Sequence, residues 1–291
     1  MSNTATVLAF DFGASSGRAI RAVYDGQNLT YEEIHRFENV PIEKDGHLCW
    51  DVETLLKEIH TAIQKAGTFD SLGFDTWGVD FGLLDADGHL LANPVHYRDA
   101  RTNGKPEQAA ACMPAEELYA HTGNQIMAIN TLFQLLALRE QDPELLQKAE
   151  HILFMPDLFA ALLGAEPVCE RSIASTSQML DPRTGQWSRE VLAAYGLPES
   201  CFAPIVASGT VTGTLADGAK IIAVAGHDTQ CASSAMPCAE GDAEHTVFLS
   251  CGTWSLLGTE LDAPILTADS CQSGLSNDCL LYTSPSPRDL S

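Results

Sequence analysis

The sequence predicts an α/β fold built around a mixed sheet, and three observations carry that prediction. Short apolar runs recur along the chain and end in carboxylates or glycines, as in residues 7–13, which close on Asp11 and Gly13. Asp25 and Gly26 separate residues 19–24 from residues 29–37, a strong signal for a tight hairpin and so for antiparallel neighbours. A central block of helical periodicity then separates these early strands from later β-like runs at residues 221–225 and 246–250. Strands with hairpins, a helix, more strands, a helical block and strands again make a mixed sheet rather than a doubly wound parallel one.

Taken in order, residues 7–13 read as a buried strand that delivers Asp11 to its end. Asp51 has the position of an N-cap. Val52, Leu55, Leu56, Ile59 and Ile63 follow as the apolar stripe of an amphipathic helix. Residues 71–74 predict a strand that opens into Asp75, Thr76, Trp77 and Gly78. Another is expected over residues 79–84, turning at Asp85, Ala86, Asp87 and Gly88. Helices are expected over residues 106–121, 131–139, 143–148, 156–163 and 188–195. No repeat at solenoid period is visible.

Composition bounds the function. The chain has 291 residues, a hydrophobic fraction of 45%, a charged fraction of 19% and a formal net charge of −23. That charge excludes nucleic acid and anionic membrane surfaces as expected partners, because their phosphates reward Lys and Arg. It leaves nucleotide substrates open, since backbone N–H groups and Mg2+ can hold a triphosphate in an acidic protein. No apolar run reaches the ~18–20 residues of a membrane span. The first residues lack the basic region of a signal peptide. The nine cysteines are scattered and never spaced as Cys-x-x-Cys, which points to free thiols in a reducing cytoplasm.

Four loops follow apolar runs and collect polar or acidic residues. The first, residues 11–18, places Asp11 before Gly13, Ala14, Ser15, Ser16, Gly17 and Arg18. Such a turn can aim N–H groups and hydroxyls at phosphates, with Asp11 toward Mg2+; alone it is equally an ordinary hairpin turn. It is neither a Walker A loop nor G-x-G-x-x-G. The second, residues 75–80, offers Asp75, Trp77, Gly78 and Asp80, suited to a polyol, or else a buried Trp with capping carboxylates. The third holds Gly226, His227, Asp228 and Thr229; Asp228 could serve as a general base, although a lone His-Asp pair is often structural. A Ser-His-Asp hydrolase is the competing reading; the one Gly-x-Ser-x-Gly spacing, Gly13-Ala14-Ser15-Ser16-Gly17, leads into the strand expected over residues 19–24 rather than into the helix a nucleophile elbow opens, so it does not support that reading. The fourth holds Gly252, Thr253, Trp254 and Ser255, a second phosphate-like turn or another hairpin. Each loop is weak alone. Their order, phosphate, polyol, base, phosphate, is what is specific.

With these motifs, and with Tyr97, Arg98, Asp99, Ala100 and Arg101 and with Met155, Pro156 and Asp157, the chain resembles the FGGY carbohydrate kinases, closest to their rhamnulokinase branch, over residues 7–278. The resemblance implies an actin-like (ribonuclease H-like) ATPase fold. It implies ATP binding by Ala14, Ser15, Ser16, Gly17, Arg18 and Thr253, and sugar binding by Gly78, His227, Asp228 and Thr229. Asp228 becomes the proton acceptor and Asp11 the metal-associated acid, with Mg2+ accompanying ATP. Trp77 and Asp80 join the sugar site on their local chemistry. The implied reaction converts L-rhamnulose and ATP to L-rhamnulose 1-phosphate and ADP. Alternatives are a fuculokinase-like or autoinducer kinase-like specificity, or a fragment that binds sugar or nucleotide without turnover. A monomer or weak homodimer in the cytoplasm is expected.

The expected organisation is a complete N-terminal domain over residues 1–239 and only the start of a second domain over residues 240–278. Residues 279–291 read as a non-native tail, with two prolines in a serine-rich run that lacks apolar period. A weak or inactive enzyme is the expectation for a chain of this length, because a second-domain stub cannot close a core of its own.

Overall fold

The computed structural model describes residues 4–237, 242, 245–251 and 255–278. Its centre is a six-stranded mixed sheet. The strands are β1 (Ala5–Phe12), β2 (Ser16–Tyr24), β3 (Leu29–Glu38), β4 (Ser71–Thr76), β5 (Thr210–Thr214) and β6 (Lys220–Ala223), in the spatial order β5-β6-β4-β1-β2-β3. β1 and β6 both run parallel to β4, while β1–β2, β2–β3 and β5–β6 are antiparallel. The expected hairpin forms at Asp25, whose Oδ1 accepts the N–H groups of Gln27 and Asn28, with Gly26 at φ +98°.

Alternation along β1 fixes which side chains face the core. Leu8, Phe10 and Phe12 are fully buried, and Asp11 points to the other side. The buried set packs with helix α1 (Val52–Ala66) and with α3 (Met155–Leu162), where Phe159 stacks on Phe12 at 4.8 Å between ring centroids. Asp51 caps α1 through Thr54 N–H, and Val52, Leu55 and Ile59 are buried as the stripe predicts. A second core gathers around α2 (Thr131–Gln141), whose Leu132, Phe133, Leu135 and Leu136 are all buried.

Two expected elements differ. The helix expected over residues 106–121 is two helices, Lys105–Ala109 and Ala115–Thr122, because Pro114 disfavours helical geometry at Met113. The strand expected from residue 79 begins at Phe81, because Val79 adopts φ +67°. That conformation is costly for a β-branched residue. It is held by Thr176 Oγ1, which accepts Val79 N–H at 3.0 Å, and by Thr131 Oγ1, which donates to Val79 C=O at 2.7 Å.

After the helix α4 (Asp228–Ser234), the hairpin Val247–Cys251/Ser255–Thr259 exposes Leu249 and Leu257. The chain then returns to the segment that follows the helix Ala115–Thr122. Asn277 donates from Nδ2 to the carbonyls of Gly123 (2.8 Å) and Ile265 (2.9 Å), and Ser276 Oγ donates to Asn124 Oδ1 at 2.9 Å.

Candidate active site

The sheet brings three acids together. Asp11 and Asp75 are register partners on the parallel pair β1–β4. Thr76, the next residue of β4, bridges to His227, and its N–H donates to Gly226 C=O at 2.9 Å. Asp228 follows at the start of α4. All three acids line one cavity of about 590 Å³, together with Gly13, Ala14, Trp77, Gly78, Tyr97, His227 and Thr229.

Burial pushes the Asp75 carboxyl well above the usual carboxylate range, and the negative charges of Asp11 and Asp228 push it further. Asp11 and Asp75, coupled by charge and by a side-chain hydrogen bond, offer carboxylate oxygens of the kind a hard divalent cation takes, and such a cation would relieve their repulsion. The residues therefore fit Mg2+ held by Asp11 with its neighbours. Arg18 closes on this group: its Nε and Nη2 both donate to Asp11 Oδ2, at 2.8 and 2.5 Å.

The turn after β1 is closed by backbone hydrogen bonds. Gly13 N–H donates to Ser16 C=O at 2.8 Å, and Asn39 braces the turn by donating from Nδ2 to Gly13 C=O and from N to Ser15 C=O. Ala14 faces the cavity and Ser15 is exposed. Gly17 is buried against the Phe37 ring, whose nearest atom would lie 2.3 Å from a Cβ at that position. Gly17 is thus a packing glycine, outside the cavity wall. Thr253, the expected second phosphate contact, lies outside the described residues.

On the polyol side, Trp77 and Gly78 line the cavity and Asp80 does not. Asp80 is 1% exposed. Its Oδ2 accepts Trp50 Nε1–H (2.7 Å), Trp77 Nε1–H (3.0 Å) and Tyr97 N–H (3.2 Å), and its Oδ1 accepts Gln134 Nε2–H (2.9 Å). Burial raises its pKa to about 6 against the pull of those hydrogen bonds. The direct sugar contact expected of Asp80 is therefore corrected: its carboxylate is turned inward and occupied by four donors. It orients two aromatic residues of the wall instead. Behind Trp77 the rings of Trp50 (4.1 Å from Trp77) and His96 (4.2 Å from Trp50) continue the stack, and burial drops His96 to about 4, so it is neutral there.

His227 stands between two carboxylates. Nε2 is 3.6 Å from Asp228 Oδ1 and Nδ1 is 3.8 Å from Asp278 Oδ2. Asp228 is held locally by Thr229, whose N–H and Oγ1–H donate to Oδ1 at 2.6 and 3.1 Å. Sequence reasoning offered Asp75 as a polyol carboxylate and not as a partner of Asp11, and it did not place Asn124 or Asp278 in the site; all three line the cavity. The available signal was the matching end of two apolar runs, Phe10-Asp11 and Phe74-Asp75. Asn124 and Asp278 carried none, because Asn124 is placed by its bond to Ser175 C=O and Asp278 by the return of residues 265–278 to Gly123 and Asn124.

The model of the FGGY family of carbohydrate kinases, N-terminal domain, matches residues 6–233. A rhamnulokinase of Bacteroides thetaiotaomicron is 40% identical over 284 residues, covering 93% of this chain and 58% of its own length. The chain thus spans little more than half of that curated relative. In fold it is similar to a ligand-bound xylulose kinase from Lactobacillus acidophilus (TM-score 0.75, 17% identity, covering 91% of this chain and 56% of that one). It is also similar to a carbohydrate kinase from Novosphingobium aromaticivorans (TM-score 0.73, 23% identity, 92% and 58%). No described helix is long and apolar enough to cross a membrane. With a family model matched across most of its length and the mixed sheet of sugar kinases carrying acids at its strand ends, the chain belongs to the FGGY family of carbohydrate kinases.

Proposed function

We propose that the protein transfers the γ-phosphoryl group of ATP to the C1 hydroxyl of L-rhamnulose, giving L-rhamnulose 1-phosphate and ADP. The observation that carries this reading is the shared cavity: Asp228, the phosphate-like turn at Gly13 and Ala14, and the Trp77 wall all face one space. The 40% identical rhamnulokinase supports the choice of sugar.

In this reading Asp228 accepts the C1 hydroxyl proton as O1 attacks the γ-phosphorus. The bond from phosphorus to the β–γ bridging oxygen breaks, and ADP leaves with that electron pair. Thr229 and His227 hold the Asp228 carboxylate in place, while Trp77 and Gly78 seat the carbon skeleton of the sugar. Ala14, Ser15 and Ser16 receive the phosphates through the turn, Gly17 shapes it, and Thr253 adds a contact. Arg18 steers charge at Asp11. Bound Mg2+ would neutralise charge on the phosphoryl oxygens, with Asp11 as its protein ligand. Phosphoryl transfer demands positioning and electrostatics more than covalent chemistry, so loops on a rigid sheet suffice. Residues 1–239 would supply these groups, Thr253 excepted, as one domain, and residues 240–278, which include Thr253, would open the next, with residues 279–291 outside the described region. A cytoplasmic location and partners limited to sugar and nucleotide go with this reading.

A fuculokinase-like or autoinducer kinase-like specificity is the rival. An ADP-release assay over a panel of ketoses separates them, run on the 291-residue chain and on one carried to the relative's length. Rhamnulose preferred by at least ~10-fold in kcat/KM supports the proposal, a discrimination of about 1.4 kcal/mol. Preference for another ketose, or ADP release without sugar, overturns it.

A further inference from the structure

We infer that Glu170 is a positioning residue for Asp228, clamping the backbone that carries the base into the cavity. Glu170 lies far along the chain from that loop and is 1% exposed. Its Oε2 accepts Gly226 N–H at 3.0 Å, Ser172 N–H at 2.9 Å, Ser172 Oγ–H at 2.6 Å and Ile173 N–H at 3.2 Å. Its Oε1 accepts Ser208 Oγ–H at 2.6 Å.

Capping the short helix Arg171–Ser175 explains the bonds to Ser172 and Ile173. It does not explain Gly226, which is 56 residues away and reaches the same oxygen. The rest of the loop is tied to the same unit, since His227 N–H donates to Ser172 Oγ at 3.3 Å. On the opposite side Gly226 C=O accepts Thr76 N–H. Both backbone polar groups of Gly226 are thereby fixed, and a Cβ there would sit 3.0 Å from Pro156 Cγ, so the segment has little room to shift. Two residues later Asp228 emerges into the cavity.

A carboxylate suits this task because one oxygen can receive several donors and its charge strengthens each bond. Glutamine can keep most of the set, with its carbonyl oxygen toward Gly226 and Ser172 and its amide toward the Ser208 hydroxyl, which can accept. Alanine leaves all the donors unpaired.

The inference rests on the reading of Asp228 as base, and a double-mutant cycle keeps the two apart. Steady-state ADP release is measured for Glu170→Ala, Glu170→Gln, Ser172→Ala and Asp228→Asn, and for each of the first three combined with Asp228→Asn, in a chain carried to the relative's length. Glu170→Ala is expected to lower kcat by ~10²-fold, the scale of a base displaced by about 1 Å, with KM for ATP changed less than about 2-fold. Glu170→Gln is expected to restore most of that loss, and Ser172→Ala to reproduce a smaller part of it. In the Asp228→Asn background all three should cost almost nothing further. Equal losses with and without Asp228, no rescue by glutamine, or a near-normal kcat in both Glu170→Ala and Ser172→Ala overturns the inference and leaves the base reading standing. If Glu170→Ala does not fold, Ser172→Ala decides. Near-normal turnover by Asp228→Asn removes both.

Discussion

Asp11 and Asp75 are register partners at the ends of two parallel strands, and Asp75 is held well above the usual carboxylate range by its burial and by the charges of Asp11 and Asp228. That juxtaposition is unfavourable in the isolated chain and becomes intelligible if a cation and phosphate enter. Asp75→Asn keeps the shape and removes the like charge. It is expected to raise Tm in metal-free buffer at neutral pH, and to shrink the stabilisation that Mg2+ with ADP gives the parent. Thermal scans with and without Mg2+·ADP check both. A lower Tm in metal-free buffer contradicts the account.

The two small residues of the first turn should separate in their effects. Gly17→Ala places a methyl against the Phe37 ring, and its cost should fall in the ~1–3 kcal/mol range of overpacked sites. Ser15→Ala touches nothing buried and should leave Tm unchanged while raising KM for ATP. Denaturant melts and ATP titrations of both variants test this. A normal melt for Gly17→Ala would contradict its assignment as a packing glycine.

Asp157 carries a pH prediction. Burial, then the neighbouring Glu170 charge, pushes its carboxyl well above the usual range. Its folded pKa lies above its unfolded one, so between the two values the folded state holds the extra proton. Stability therefore falls as pH rises from the ordinary carboxylate value through the folded pKa. Asn in its place can still accept Glu170 N–H and has no proton to lose. Asp157→Asn should match the parent in Tm in acid and exceed it at neutral pH. A Tm difference that is constant with pH contradicts this.

Much of the site was legible because local chemistry set it. A strand ending in an acid and then a glycine delivers a carboxylate to an edge, and Asp11 arrived where that rule puts it; Asp228 follows an apolar strand and Gly226 into the first turn of α4. Trp77 reached the cavity by the same logic. What stayed hidden depends on distant contacts. Asp80 follows Trp77 by three residues and shares its loop, yet faces the core because Trp50 and Gln134 supply donors there. Gly17 reads as part of a phosphate turn until Phe37, on the next strand, is known to cover it. Val79 belongs to an apolar run, and only the side chains of Thr131 and Thr176 reveal why it leaves the strand. Glu170 sits in a stretch with no visible period, so its link to Gly226 could not be read in advance. The split at Pro114 was the exception, since the proline was in plain view.

The central claim is that Asp228 is the base of a sugar kinase. The most direct measurement is ADP release by Asp228→Asn, in a chain carried to the relative's length, with rhamnulose and nucleotide binding followed by calorimetry. The account predicts kcat lower by ~10²–10⁴, with ATP affinity unchanged and the sugar still bound. Turnover within a few-fold of the parent, with both ligands bound, would contradict it.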